Sequence, residues 1–198
     1  MPAKNDENKT SLIDRGFMPV VILTIIAMVC VTALALVSDI TQEARDQQEL
    51  EASFAVQLEL FPEAAEFEQI PLTDVATQFP NVTQIVQALD SSGNIIGFVI
   101  TAEGNGYGGA LPATVGFAED GSIVGIRFDV SAETAGYGQN AAKPDFYEQF
   151  TAFNANQTLT TDSSSSDSVI DALTGSTRTT NAIVDAINEA SGAFLLMD

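Results

Sequence analysis

Histidine is absent from this chain. Its absence excludes Ser-His-Asp and Cys-His catalysis and any histidine-ligated metal or haem. Cysteine is reduced to Cys30. A single thiol gives no disulfide framework, no cluster for iron–sulfur ligation and no zinc pattern. Basic residues are scarce: seven Lys and Arg stand against 27 Asp and Glu, for a formal net charge of −20 over 198 residues. Such a surface repels nucleic acid and anionic lipid headgroups, so nucleic acid is excluded as a partner. It suits a cationic partner, a salty medium or solubility achieved without lysine. No side chain stands out as a general base, and we expect neither catalytic residues for independent turnover nor a metal site.

What the chain does have begins with a long apolar run. Phe17 to Val37 carries no charge and is interrupted by Pro19, Thr24 and Thr32. As a helix it spans about 31 Å, the thickness of one hydrocarbon core. Pro19 falls in the first turn, where a missing N–H costs little. Lys4, Lys9 and Arg15 precede the run, whereas Asp39, Glu43, Asp46, Glu49 and Glu51 follow it against Arg45. This bias expects a single pass through the inner (cell) membrane, with the amino terminus cytoplasmic and the rest extracytoplasmic. Two alternatives attach to the same stretch. Ala33-Leu34-Ala35 has the form of a signal-peptidase site, although the apolar stretch before it exceeds a usual signal core. Arg15-Gly16-Phe17-Met18 is similar to a type IV pilin leader, but the glutamate expected five residues after the glycine is Val21 here.

Beyond the anchor, residues 38–54 are polar and favour helix. Pro62 predicts the start of a short helix, P-E-A-A-E-F-E-Q-I, with Ala64 or Ala65 and Phe67 as its apolar side. Strand patterning starts at Thr83. T-Q-I-V-Q-A-L-D, the turn Ser91–Asn94 and I-I-G-F-V-I-T-A form one hairpin. After the glycine run Gly104–Gly109, A-T-V-G-F-A, the turn E-D-G and S-I-V-G-I-R-F-D-V form a second, with Val124, Ile126, Phe128 and Val130 as its apolar face. The glycine run lacks the Lys-Ser/Thr that a nucleotide phosphate loop requires. Ser131–Gly138 has two glycines two apart, which demand unusual φ or a close approach to the backbone. Pro144–Phe153 predicts a short helix whose Phe146, Phe150 and Phe153 belong to the core. Q-T-L-T-T-D and Ser168–Leu173 are strand candidates, with a polar tip at Ser163–Ser166. The last helix, predicted over Asn181–Met197, buries Ile183, Ile187, Ala190 and Phe194 as one stripe.

The run Asp171–Thr180, D-A-L-T-G-S-T-R-T-T, lies between the last strand candidate and that helix. A glycine turn opening a helix points free N–H groups at an anion, and the helix dipole adds about half a positive charge. The hydroxyls supply an oxygen that a phosphate can esterify. Spacing alone favours the plainer reading, in which Thr179 or Thr180 caps the helix and Gly175 makes the turn.

Taken in order, the anchor, G-Y-G-G, the D-G hairpin, E-T-x-G-x-G, the aromatic helix and D-x-x-[ST]-G-x-T resemble a known domain. It is the FMN-binding domain shared by the G-type subunit of the Rnf ion-translocating oxidoreductase and the C-type subunit of the sodium-pumping NADH:quinone oxidoreductase. A-L-V-S-D-I-T after the anchor and L-F-P-E-A-A-E-F are closer to the Rnf member. The resemblance covers the anchor and nearly all of residues 55–190. It implies an α+β fold, a twisted mostly antiparallel sheet with flanking helices, behind one transmembrane helix. The expected organisation is a cytoplasmic segment 1–16, a transmembrane helix 17–37, a connecting helix 38–54 and an extracytoplasmic FMN-binding domain 55–198.

The resemblance also implies FMN held covalently, through a phosphoester, on the last threonine of the family motif. That position is Thr177, preceded by Thr174, Gly175 and Ser176, with Asp171 as the acidic start of the motif. Glu133, Thr134, Gly136 and Gly138 match the turn near the flavin. Arg178 and Tyr107 are further cofactor-binding candidates, and Thr179 and Thr180 are alternative acceptors. Ser176 stands where the family usually has alanine, and Ala135 where it has proline, which loosens the turn. The implied function is an electron relay between neighbouring membrane subunits, coupling a ferredoxin:NAD⁺ reaction to ion movement. A separate flavin transferase, using FAD and Mg²⁺, is implied for maturation. The competing class is a non-catalytic, membrane-anchored interaction module, pilin-like, in which the threonine run is only a turn.

Overall fold

Helix, hairpin and helix succeed one another much as the hydrophobic pattern dictates. The computed structural model describes residues 18–73, 75–164 and 168–197. The expectations for the cytoplasmic segment 1–16, its Lys4, Lys9 and Arg15, the pilin-like leader up to Phe17, and Ser165–Ser166 of the polar tip fall outside those residues. Two units are distinguished, Met1–Ala52 and Ser53–Asp198.

In the first unit the described residues belong to α1, which runs Met18–Leu60 into the second. Within Met18–Gln42 the most apolar 18-residue window has a mean hydropathy of 3.0 and none of it is buried by protein, so the segment is long and apolar enough to cross a membrane. The threonines inside this run donate to carbonyls one turn back, Thr24 to Val20 at 2.9 Å and Thr32 to Met28 at 2.8 Å. Their hydroxyls are thereby satisfied without water.

The second unit is an α+β domain. Strands β1 (Glu66–Gln69), β2 (Val82–Leu89), β3 (Ile95–Asn105), β4 (Ala110–Ala118) and β5 (Ile123–Phe128) form one antiparallel sheet in sequential order. A short helix α2 (Pro144–Tyr147), flanked by 3₁₀ turns, follows the sheet, and α3 (Thr177–Leu195) closes the chain. The predicted stripe of α3 is buried in full: Ile183, Ile187, Ala190 and Phe194 pack on the sheet with Ile85, Ile100, Phe117 and Ile126. Phe194 stacks on Phe117 at 5.1 Å and meets Phe98 edge-on at 5.7 Å. The helix rides so low that a Cβ on Gly104 would stand 2.0 Å from the Ala182 carbonyl oxygen. Gly104→Val is therefore expected to destabilise the domain by about 3 kcal/mol through overpacking, read as a lower urea midpoint with an unchanged m-value.

The opposite face of the sheet carries a smaller core of Leu60, Phe61, Val86, Ala88 and Val99, with Phe67 and Ile96 against it. The end of α1 is fastened there: Arg127 on β5 pairs with Glu59 and lies over the Tyr147 ring at 4.6 Å. The Arg127 hydrogen bond holds the Glu59 carboxyl below its ordinary range. A depressed carboxyl contributes at neutral pH and loses that contribution as acid protonates it.

Four local expectations are corrected. Pro62 opens no helix; the chain turns there, and Glu66–Gln69 forms edge strand β1 against β2. Phe67 is held by its edge-on contact with Phe54 at 5.7 Å, so the tertiary partner overrides helix propensity. On β5, a register shift between Gly116 and Phe117 makes Val124 the extra residue. Val124 is 42% exposed, while Ile123 and Ile126 both face the core and Phe128 is half-buried. The strand candidates at 157–162 and Ser168–Leu173 amount to one isolated bridge between Thr160 and Val169. Finally, α3 starts at Thr177, four residues earlier than predicted.

Candidate functional site

That early start decides what each hydroxyl of the Asp171–Thr180 run is doing. Gly175 adopts φ +75° and turns the chain into α3, with Ser176 at the N-cap. Thr180 is fully buried; its hydroxyl donates to the Ser176 carbonyl at 3.0 Å and accepts from the Leu173 N–H at 3.1 Å. Thr179 is also buried, and its hydroxyl donates to Glu133 Oε2 at 2.7 Å. Both alternative acceptors are therefore spent on holding the helix start. Thr177 is exposed at the first helical position, and its hydroxyl bonds no other described residue. Among the described residues the N–H groups of Thr177, Arg178 and Thr179 have no internal acceptor, as the first turn of any helix requires.

Glu133 is 5% exposed and ties three segments together. Its Oε1 accepts from the N–H groups of Tyr107 at 2.8 Å and Gly108 at 3.1 Å, while Oε2 takes the Thr179 hydroxyl. The glycine-rich β3–β4 turn, the Ser131–Gly138 turn and the start of α3 are thus pinned on one carboxylate. The same crowding requires glycine at 138. A Cβ there would lie 2.5 Å from Glu133 Oε2 and 2.8 Å from the Thr179 oxygen. Gly136 supplies the positive φ of the turn, +79°, and the Thr134 carbonyl accepts the backbone N–H groups of Tyr137 and Gln139.

These elements enclose a cleft of about 180 Å³ lined by Tyr107, Glu133, Thr134, Tyr137, Gly138 and the segment 175–179. Tyr107 and Tyr137 are 72% and 56% exposed. Arg178 is exposed and reaches the Asn105 side chain at 3.3 Å. Of the residues singled out from the sequence, Tyr107, Glu133, Thr134, Gly138, Gly175, Ser176, Thr177 and Arg178 meet at this cleft. Asp171 and Thr174 line a neighbouring depression of about 410 Å³ with Lys143 and Gln149 instead. Phe146 and Phe150 are core, and Phe153 packs against it half-buried. Tyr137 went unmarked in the sequence, although its place between the two glycines of E-T-A-G-Y-G is the signal that names it. Among the described residues no acidic or cysteine cluster has the geometry of a metal site.

The arrangement suits a phosphate better than an enclosed planar ring. Three free N–H groups and a helix dipole converge on an exposed hydroxyl, and the volume falls below the roughly 300 Å³ at which ligand-enclosing pockets begin. Comparison with known proteins bears on the same segment. The FMN-binding domain family matches residues 106–192, which contain the cleft. Over 180 residues the chain is 31% identical to the G-type subunit of the Na(+)-translocating ferredoxin:NAD(+) oxidoreductase complex of Acetobacterium woodii, covering 84% of this chain and 86% of that protein. The G-type subunit of the ion-translocating oxidoreductase complex of Methanosarcina acetivorans is 29% identical over 172 residues, 86% of this chain and 90% of its own. Among solved structures, the C-type subunit of the Na(+)-translocating NADH-quinone reductase from Parabacteroides distasonis superposes with a TM-score of 0.49 at 17% identity, over 67% of this chain and 76% of that one.

Proposed function

The chain belongs to the family of G-type subunits of ion-translocating oxidoreductase complexes, and from that premise we propose that it relays electrons through an FMN esterified to Thr177. It carries an FMN-binding domain and works beside other subunits of a membrane complex that couples ferredoxin:NAD⁺ electron transfer to ion translocation. Membership of this family displaces the pilin-like alternative. The anchor is residues 17–37, the connecting helix 38–54 and the flavin domain 55–198, with the amino terminus cytoplasmic and the domain on the extracytoplasmic side.

The observation that carries the tether is the sorting of hydroxyls at the start of α3. Thr179 and Thr180 are buried and hydrogen-bonded, Ser176 is buried, and Thr177 alone of the helix-start hydroxyls is exposed on the cleft. Thr174 is exposed too, but on the neighbouring depression. A physical motive for a covalent link accompanies this. FMN brings a phosphate of about two negative charges into a strongly acidic domain, so the long-range field opposes retention. The cleft is too small to enclose the ring, and the exposed Tyr107 and Tyr137 at its lining would be the side chains available to flank one. The local donors at the start of α3 hold a phosphate only against that field and without burial of the ring, whereas an ester keeps the cofactor in place. The flavin supplies one- or two-electron chemistry; the protein supplies a fixed position and an accessible edge for its neighbours.

Attachment needs a flavin transferase with FAD as donor. The Thr177 hydroxyl loses its proton as its oxygen bonds to the FMN phosphorus, the phosphoanhydride breaks and AMP leaves. The three free amides at the start of α3 would then be the donors available to the ester phosphate. The test is colour under denaturation. Full-length protein made with an active transferase keeps its flavin fluorescence in a denaturing gel, and its mass exceeds that of the bare chain by one FMN less one water. Flavin that washes away under denaturation overturns the reading.

A further inference from the structure

The cleft holds one hydroxyl that the protein itself does not use. Ser176 is 7% exposed, and its Oγ is, among the described residues, the buried side-chain polar atom without a hydrogen-bond partner. Burying a hydroxyl without a partner costs stability, and native proteins rarely tolerate it. The usual outlet is not taken. A serine at the N-cap ordinarily turns its oxygen onto the N–H two or three residues along, yet Ser176 makes no such cap bond. The hydroxyl and the N–H groups of Thr177, Arg178 and Thr179 are therefore all unspent at the same end of one cleft. The nearby carboxylate does not serve them, because Glu133 is already committed to Tyr107, Gly108 and Thr179. A convergent set of donors with no internal acceptor is the chemistry of an oxyanion site.

We infer that Ser176 Oγ donates a hydrogen bond to a non-bridging oxygen of the phosphate held at Thr177. The three amides then account for the start of the helix, and the serine adds a fourth donor that an alanine at this position would not offer. Its side chain is buried where that of Thr177 is exposed, so Thr177 and not Ser176 is the oxygen a modifying enzyme meets first. Ser176 is a positioning residue for the cofactor's phosphate. This role rests on the Thr177 tether for its physiological ligand, but the donor set itself binds phosphate with or without an ester.

The test compares wild type with Ser176→Ala in the full chain, made with and without a flavin transferase. The variant is expected to accept a full complement of flavin by intact mass. Without flavin it melts at or above wild type, because an unpaired buried hydroxyl has gone. With flavin, the rise in melting temperature on loading is smaller than in wild type, and the ³¹P resonance of the ester moves. In flavin-free protein, inorganic phosphate titrated at constant ionic strength binds Ser176→Ala about tenfold more weakly, the loss expected for one hydrogen bond to a charged group. Equal phosphate affinities, or an equal loss of stability with and without flavin, overturn the inference and make the serine purely structural. Should wild type carry no flavin at all, the tether fails, and the phosphate titration of the bare chain alone decides the role of Ser176.

Discussion

Thr177→Ala is expected to remove the flavin from the mature protein and to leave the fold in place. Thr177 is exposed and its hydroxyl bonds no other described residue, so the substitution is expected to change stability by no more than about 0.5 kcal/mol. Intact mass and in-gel fluorescence should fall to the level of protein made without the transferase, while the melting curve stays where it was. Thr177→Ser keeps an oxygen at the same place and is expected to be flavinylated. Thr179→Ala and Thr180→Ala behave in the opposite way. Thr179→Ala deletes one and Thr180→Ala two of the hydrogen bonds that fasten the helix start, so each is expected to cost about 1–2 kcal/mol while the folded fraction keeps its flavin. The two classes separate attachment from structure: loss of adduct without loss of stability at 177, and loss of stability without loss of adduct at 179 and 180. A flavin peptide from the Thr177→Ala protein, or an adduct that vanishes from a well-folded Thr180→Ala protein, would place the ester elsewhere.

The same run shows what a linear reading reaches and what it does not. The stripe Ile183, Ile187, Ala190 and Phe194 was legible because a 3.6-residue period survives any context that buries one helix face. The start of α3 was not legible. T-G-S-T-R-T-T is built from residues that favour turns and caps, and its helical state is imposed by contacts from afar, Thr179 to Glu133 across 46 residues. The hairpins were legible because turn residues and alternation coincide. The extra residue at Val124 was not, since a bulge depends on how two strands meet and leaves no mark in either strand alone. Pro62 to Gln69 reads as helix by local preference, but Phe54 and the edge of β2 claim Phe67 for a strand. At the cleft, motif order picked out Glu133 and Thr177 as neighbours of one cofactor. It gave Thr177 the tether and Glu133 a place in the turn beside it, but a linear motif does not say which of the two side chains is buried. Burial separates them: the glutamate is inside and fully engaged, whereas the threonine is outside and available.

Glu133 is accordingly where the largest loss of stability is expected. Glu133→Ala strips the acceptor from two partly buried backbone N–H bonds and from the buried Thr179 hydroxyl. Each buried group left unpaired costs about 1–3 kcal/mol, so a loss of about 4 kcal/mol is expected, a large share of the roughly 5–15 kcal/mol that holds a domain together. The urea midpoint should drop accordingly, and flavin incorporation should fall with it, because the three free amides of α3 are held in place by this carboxylate. Glu133→Gln has the same shape. Its amide oxygen still accepts from Tyr107 and Gly108, and its nitrogen can donate to the Thr179 oxygen if that hydroxyl turns to accept. The glutamine variant is therefore expected to lose about 1–2 kcal/mol and to retain an esterified flavin. A role confined to positioning predicts that those glutamine molecules show the wild-type flavin spectrum and midpoint potential. A glutamine protein that folds and loads normally but shifts the potential would instead mean that the charge of Glu133 acts on the flavin itself. An alanine protein that melts like wild type would show that the three segments are held together by something other than this side chain.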